Sequence, residues 1–229
     1  MDQGKRKAKE IEFQGMFITF EGIEGCGKST QIDLLADFLD TKGLSRVVTR
    51  EPGGTGIGEK VREILLSSQN SGMKPMAELF LIMACRAQHV DEVIKPALMN
   101  KKIVLCDRFS DATVAYQAYA RGIDLKSVKQ LNQMASSGLK PDVTILLDCH
   151  VDVGLTRAMK RIHSRTNHPR EDRFEREEKI FHEKVREGYL EIARAEENRY
   201  IVIDGSKDIN TIHKEICEAI YPRIKRNTS

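Results

Sequence analysis

FEGIEGCGKSTQ, residues 20–31, decides how this chain is read. Gly22, Gly27, Lys28 and Ser29 satisfy the pattern G-x-x-x-x-G-K-[ST], with Ile23, Glu24, Gly25 and Cys26 at the variable positions and Thr30 just beyond. The run MFITFEG before it has the apolar, β-branched and aromatic character of a strand. After it, Ile32, Leu34, Leu35, Phe38 and Leu39 share one face of a helix that opens at Lys28 and ends at Gly43. A strand, this loop and a helix are the context in which the pattern holds phosphate. Its glycines let the backbone curl so that successive N–H groups face an anion. The start of the helix adds its positive end. Lys28 is expected on the β- and γ-phosphates of ATP, and the Ser29 hydroxyl on Mg2+. Residues 22–30 therefore form the expected ATP site. Cys26 reads as a small filler, with a thiolate that a helix N-terminus would favour.

Outward from this loop, strand and helix alternate. RVVTRE (46–51), KIVLCD (102–107), DVTILLD (142–148) and RYIVID (199–204) read as four more strands. A long helix is expected from Pro75 to about Asn100, and a last helix closes the chain. There is no internal repeat. The nearly continuous apolar strands suit a sheet covered on both faces. Their alternation with helices gives an α/β fold, a parallel five-stranded sheet flanked by helices. Ligands of such sheets sit beyond the carboxyl ends of the strands. There lie Gly22–Ser29, Arg50–Gly58 and the pair Asp107 and Arg108.

The chain has 229 residues, 40% hydrophobic and 31% charged, which is a globular balance able to bury a core. A net charge of +3 does not by itself imply nucleic acid. Lys5, Arg6, Lys7 and Lys9 crowd residues 1–15, expected to be a frayed basic tail, with residues 16–229 forming one domain. No window has the ~18 consecutive apolar residues of a membrane span. The five cysteines are widely spaced and make no C-x-x-C. With no export signal, reduced thiols in a cytoplasmic enzyme are the expected state.

A GTPase would need Asn-Lys-x-Asp, which is absent. A mechanochemical ATPase usually ends an acidic strand in Asp-Glu, whereas Asp107 is followed by Arg108 and Asp148 by Cys149. A nucleotide loop with further cations at strand ends suggests a kinase acting on a small phosphorylated acceptor.

The motifs then become specific. TREPGGTGIGEKVREILL (49–66), AELFLIMACRAQHV (77–90), DRFSDATVAYQ (107–117), PDVTILLD (141–148), VGLTRA (153–158) and EDRFE (171–175) resemble, in order and spacing, the motifs of the thymidylate kinase family. The resemblance runs from about Met16 to the C-terminus. It implies a P-loop fold like that of other nucleoside monophosphate kinases, with a helical lid at about residues 157–176. It also implies a reaction, transfer of the ATP γ-phosphoryl group to dTMP, with Mg2+ as cofactor. On this resemblance Ser29 and Asp107 serve the metal, and Arg50 and Arg108 clamp the dTMP phosphate. Glu24 contacts the sugar, Arg86 reads the thymine edge, and Tyr116 packs beside the acceptor. Thr113 and Gln117 approach the base, and Pro52 belongs to the same acceptor wall. A phosphate monoester has a second pKa near ~6. The attacking oxygen is already anionic at neutral pH, so positioning and charge neutralisation suffice.

One departure stands out. Where the family usually has a Phe that stacks on thymine, this chain has Ile82, and Phe80 lies elsewhere on the helix. The lid carries Arg157, Arg161 and Arg165 on one helical face, with Arg170, Arg173 and Arg176 beyond His168 and Pro169. The variable positions of the loop, Ile23, Glu24, Gly25 and Cys26, carry no cation, so the chain resembles the bacterial type, in which a lid arginine reaches the γ-phosphate. Arg161, Arg165 or Arg170 would fill that role, and Arg157 would cover the adenine. The resemblance also implies a homodimer. Three other readings remain: a deoxynucleoside kinase with Glu51 as base, a kinase for UMP or AMP, and a nucleotide-dependent protein that uses its tail on nucleic acid.

Overall fold

In β1 (Met16–Glu21) the side chains alternate between two buried faces, as a strand's period of two requires. A computed structural model describes residues 15–164 and 172–226. The arginines at 165 and 170, and nearly all of the N-terminal tail, lie outside the described residues.

β1 is followed by α1 (Lys28–Thr41), then β2 (Arg46–Arg50), α2 (Gly56–Leu66) and α3 (Pro75–His89). α3 runs on through a π-helical turn, Val90–Ile94, into α4 (Lys95–Met99). Next come β3 (Ile103–Asp107), α5 (Ser110–Thr113), a second π-helical stretch Val114–Ala120, and α6 (Leu125–Ala135). β4 (Val143–Asp148), α7 (Val151–Ser164), α8 (Lys179–Ala195), β5 (Tyr200–Asp204) and α9 (Ile209–Arg226) complete the order. All five strands run parallel, in the order β2-β3-β1-β4-β5. The expected strands and the long helix from Pro75 are therefore present. The first π-helical turn has a local cause. Pro96 has no N–H for the i−4 ladder, and the Lys95 N–H instead reaches back five residues to the Val90 carbonyl.

Two cores sandwich the sheet. Met16, Ile18, Phe20, Ile103 and Leu105 belong to the larger, with Ile32, Leu35 and Leu39 of α1 and Ile216, Ile220 and Ile224 of α9. Phe17, Val104 and Cys106 belong to the other, with Val90, Ile94, Ala97 and Phe109. Phe17 and Phe109 meet edge to face at 4.9 Å, and each buried ring contributes about 2–3 kcal/mol through its area alone.

Register sets the active edge. Phe20 pairs with Asp107, Arg50 pairs with the same Asp107, and Asp148 pairs with Asp204. The polar ends of all five strands thus finish on one rim, which opens into a cavity.

Candidate active site

That cavity measures about 920 Å3 and is lined by loops at the carboxyl ends of the strands. At one end is the phosphate-holding loop. Gly22, Gly25 and Gly27 have φ of 135°, 70° and 102°, a region side chains rarely adopt. At Gly25 a Cβ would also meet the Gly154 carbonyl oxygen at 2.0 Å, so the loop lies directly on α7. Gly27 caps α1 without any side-chain bond, which leaves the first helical N–H groups for a ligand.

Residues 24–30 of the loop, Glu24 to Thr30, line the cavity. Gly22 and Ile23 are not among the lining residues. Their carbonyls accept bonds from Lys28 Nζ at 3.1 and 2.9 Å, and Cys26 Sγ lies 3.6 Å from the same ammonium. Gly22 and Ile23 thus shape the loop from behind. The Ser29 hydroxyl donates to Asp107 Oδ2 at 3.1 Å. A hydroxyl beside a carboxylate is a hard-oxygen pair that fits Mg2+, which keeps most of its shell for water and phosphate. Among the described residues, no group of three or more His, Cys, Asp or Glu is placed to hold a metal ion.

On the lid side, Arg157 donates to the Gly205 carbonyl at 3.0 Å. That places it against the turn between β5 and α9, where Lys207, Asp208 and Asn210 also line the cavity. Arg161 lines it as well, with Glu175 at 3.6 Å.

At the other end the polar groups interlock. Arg108, at φ 70°, donates to Tyr189 Oη at 2.9 Å and to Glu24 Oε1 at 3.1 Å, and its guanidinium lies 4.9 Å from the centre of the Tyr116 ring. Tyr116 donates to Glu24 Oε1 at 2.5 Å, and His182 meets Glu24 Oε2 at 3.2 Å. Burial alone pushes the Glu24 carboxyl up. Arg108, His182 and Lys28 more than offset it and hold the group well below the usual carboxylate range. Glu21 next door goes the other way. Burial and the Asp111 carboxylate push it up to about 8, against Arg108 and the bonds from Tyr189 and Phe109 N–H.

Arg86, read from sequence as a base-contacting residue on a long helix, is buried in a network. Its Nε donates to Glu51 Oε2 at 2.8 Å, and its other nitrogens reach the Phe109 carbonyl at 3.0 Å and Asn132 Oδ1. Glu51 Oε1 takes His89 Nδ1 at 2.9 Å, so both Glu51 oxygens have partners. Arg86 nevertheless lines the cavity, with Ile82, Thr113 and Gln117. Gln117 donates to Glu78, leaving its amide oxygen for an acceptor base. Arg50 and Pro52 line the cavity too, Arg50 half-exposed and paired with Glu59 at 2.8 Å.

Several participants escaped the sequence reading. Glu78, fully buried, binds Arg121 at 3.2 Å and Arg173 at 2.6 Å. Phe174, edge to face with Tyr116 at 5.6 Å, forms a wall with Leu65 and Leu66. Asn132, His182 and Tyr189 are polar residues on otherwise apolar helix faces, the one signal that would have flagged them.

A family model described as thymidylate kinase matches residues 20–216. A thymidylate kinase of Geotalea daltonii is 55% identical over 93% of this chain and 100% of its own length. That of Geobacter sulfurreducens is 51% identical over 93% of this chain and 99% of its own. A crystal structure of thymidylate kinase from Ehrlichia chaffeensis aligns with a TM-score of 0.71 at 38% identity, covering 90% of this chain and 98% of that one.

Proposed function

This chain belongs to the thymidylate kinase family, and from that premise we propose how its residues carry out the family's reaction: transfer of the γ-phosphoryl group of ATP to dTMP, giving dTDP and ADP. The observation that supports the reading best is one continuous cavity, with the phosphate loop at one end and the Arg108, Tyr116 and Arg86 constellation at the other. Such a cavity seats two phosphorylated ligands end to end.

ATP binds with its phosphates on the N–H groups of residues 24–30 and on Lys28, and its base under Arg157. Ser29 and Asp107 would hold Mg2+, which would supply neutralising charge to the phosphates. dTMP lies with its phosphate on Arg108 and Arg50, its sugar against Glu24 and Tyr116, and its base toward Arg86, Thr113, Gln117, Pro52 and Ile82. The dTMP phosphate oxygen is the nucleophile and arrives already anionic. Two anionic groups are thereby held in line by cations, which is where the barrier falls. Arg161 supplies a lid cation. Arg165 and Arg170, proposed from sequence for the same role, lie outside the described residues.

Glu51 is a poor general base, because Arg86 and His89 occupy its carboxylate. This favours an acceptor that is already charged over a nucleoside hydroxyl. We also propose a homodimer in the cytoplasm. Ile57 and Ile64 on α2, and Met76 and Phe80 on α3, are exposed apolar residues at helical spacing, on two helices that pack together. No helix among the described residues is long and apolar enough to cross a membrane.

The test is ADP release from Mg-ATP with dTMP, dUMP, UMP, AMP and thymidine as acceptors. dTMP is expected to lead by at least tenfold. Preference for thymidine or for another monophosphate would overturn the reading.

A further inference from the structure

Glu24 and Arg108, the two acceptor-side groups closest to the phosphate loop, both end on one helix. His182 and Tyr189 stand two turns apart on one face of α8, and both are buried. His182 Nδ1 meets Glu24 Oε2 at 3.2 Å, and Tyr189 Oη meets Arg108 Nη1 at 2.9 Å. We propose that His182 and Tyr189 are positioning residues for the acceptor phosphate and sugar. They would aim Glu24 and Arg108 without touching substrate themselves. The proposal rests on the reading of Glu24 and Arg108 as acceptor-binding groups.

Donor and acceptor chemistry fixes the direction of each bond. An ionised carboxylate only accepts, so the His182 hydrogen must sit on Nδ1. Nε2 is then a buried atom with no hydrogen-bond partner among the described residues. A ring needed only for packing would be better as phenylalanine, since burying an unpaired polar atom is unfavourable. The contact to Glu24 is what the imidazole adds. The Tyr189 oxygen can only accept from a guanidinium. Its own hydrogen therefore points to Glu21 Oε2, 2.7 Å away, where Phe109 N–H closes the other carboxyl oxygen at 2.8 Å.

The result is a one-way chain from Arg108 through Tyr189 to Glu21, anchored on the end of β1. Arg108 also sits at backbone φ 70°, a strained region for a non-glycine residue, which persists only where surrounding contacts such as these hold it. Among the described residues, two of its five N–H groups are committed, to Tyr189 and Glu24. The others remain for a phosphate fork. The Tyr116 ring, edge to face with Tyr189 at 6.3 Å and Phe181 at 6.0 Å, locks the helix against the same site.

The experiment compares wild type, His182→Phe, His182→Asn and Tyr189→Phe by steady-state kinetics and thermal unfolding. Asparagine keeps a donor near the Nδ1 position, whereas phenylalanine keeps only the ring. H182F and Y189F are expected to raise the KM for dTMP about tenfold and lower kcat, with the KM for ATP changed less than twofold. H182N should recover most of the loss. In a Glu24→Gln background, H182F should have little further effect. A dTMP kcat/KM within twofold of wild type in both ring variants would overturn the proposal. So would equal losses for ATP and dTMP, or full additivity with E24Q. If E24Q and Arg108→Ala themselves leave dTMP kinetics unchanged, the acceptor reading fails instead, and the two failures are told apart.

Discussion

Glu51 and Arg86 form a buried ion pair, with Oε2 at 2.8 Å from Nε and neither side chain more than a few per cent exposed. Breaking such a pair from one side leaves a charge without water or partner, at a cost of about 3–5 kcal/mol. Glu51→Ala is therefore expected to lower the unfolding free energy by about that amount and to raise the KM for dTMP, because Arg86 loses its alignment. Chemical denaturation and dTMP kinetics check both. If thymidine phosphorylation were present in wild type and vanished in E51A, Glu51 would be a base after all.

Arg108 uses the flat fork of its guanidinium on Tyr189 and Glu24 at once. Lysine keeps the charge and loses the fork. Arg108→Lys is expected to reduce kcat/KM for dTMP by about 10- to 100-fold while the KM for ATP moves little. Initial-rate measurements with each substrate varied in turn decide it.

Glu21 and Glu24 give opposite pH signatures. Glu21, pushed up from 4.5 to about 8, stabilises the fold fully below its unfolded value, and that stability is lost as pH rises toward 8. Glu24, held low, contributes stability above 4.5 that is lost as pH falls. Glu21→Gln is expected to flatten the decline in Tm between pH 5 and 8, and Glu24→Gln the decline on the acid side. Thermal melts across pH for the three proteins test the signs, and a decline between pH 5 and 8 unchanged in E21Q rules out the assignment of Glu21.

Ile82 gives the acceptor base an aliphatic wall, where stacking on an aromatic ring adds about 0.5–1.5 kcal/mol beyond area. Ile82→Phe is expected to lower the KM for dTMP about threefold. Titration calorimetry with dTMP and dUMP reads the change directly, and weaker binding of both would mean that the site is already filled.

Mg2+ removal is expected to abolish turnover and leave the fold intact, since the proposed site draws on Ser29 and Asp107 at the surface of the cavity rather than on the core. Ser29→Ala and Asp107→Asn should each raise the Mg2+ concentration for half-maximal rate severalfold. Activity surviving chelation would remove the metal from the mechanism.

The sheet was legible because its signals are local: five apolar runs, each punctuated by glycine or a charged residue at the strand end. The phosphate loop was legible for the same reason. The partners of the acceptor residues were not. His182 and Glu24 are 158 positions apart, and Arg173 and Glu78 are 95 apart. Such pairs carry no periodicity of their own. Arg86 shows the limit best. Its place on a long helix was readable, but the ion pair, the Asn132 contact and the nearly complete burial depend on β2 and α6 arriving beside it.

Glu78 ties Arg173, within the expected lid, to Arg121 and to Gln117, which lines the cavity. The far foot of the lid is thus fastened to the acceptor wall rather than to the phosphate loop. The consequence is kinetic. On the proposed reading, the dTMP half of the site would stand assembled before any nucleotide triphosphate arrives, and donor binding would engage the near arm, through Arg157 and Arg161. Substrates are therefore expected to add in either order, with intersecting double-reciprocal patterns and measurable dTMP binding to the protein alone.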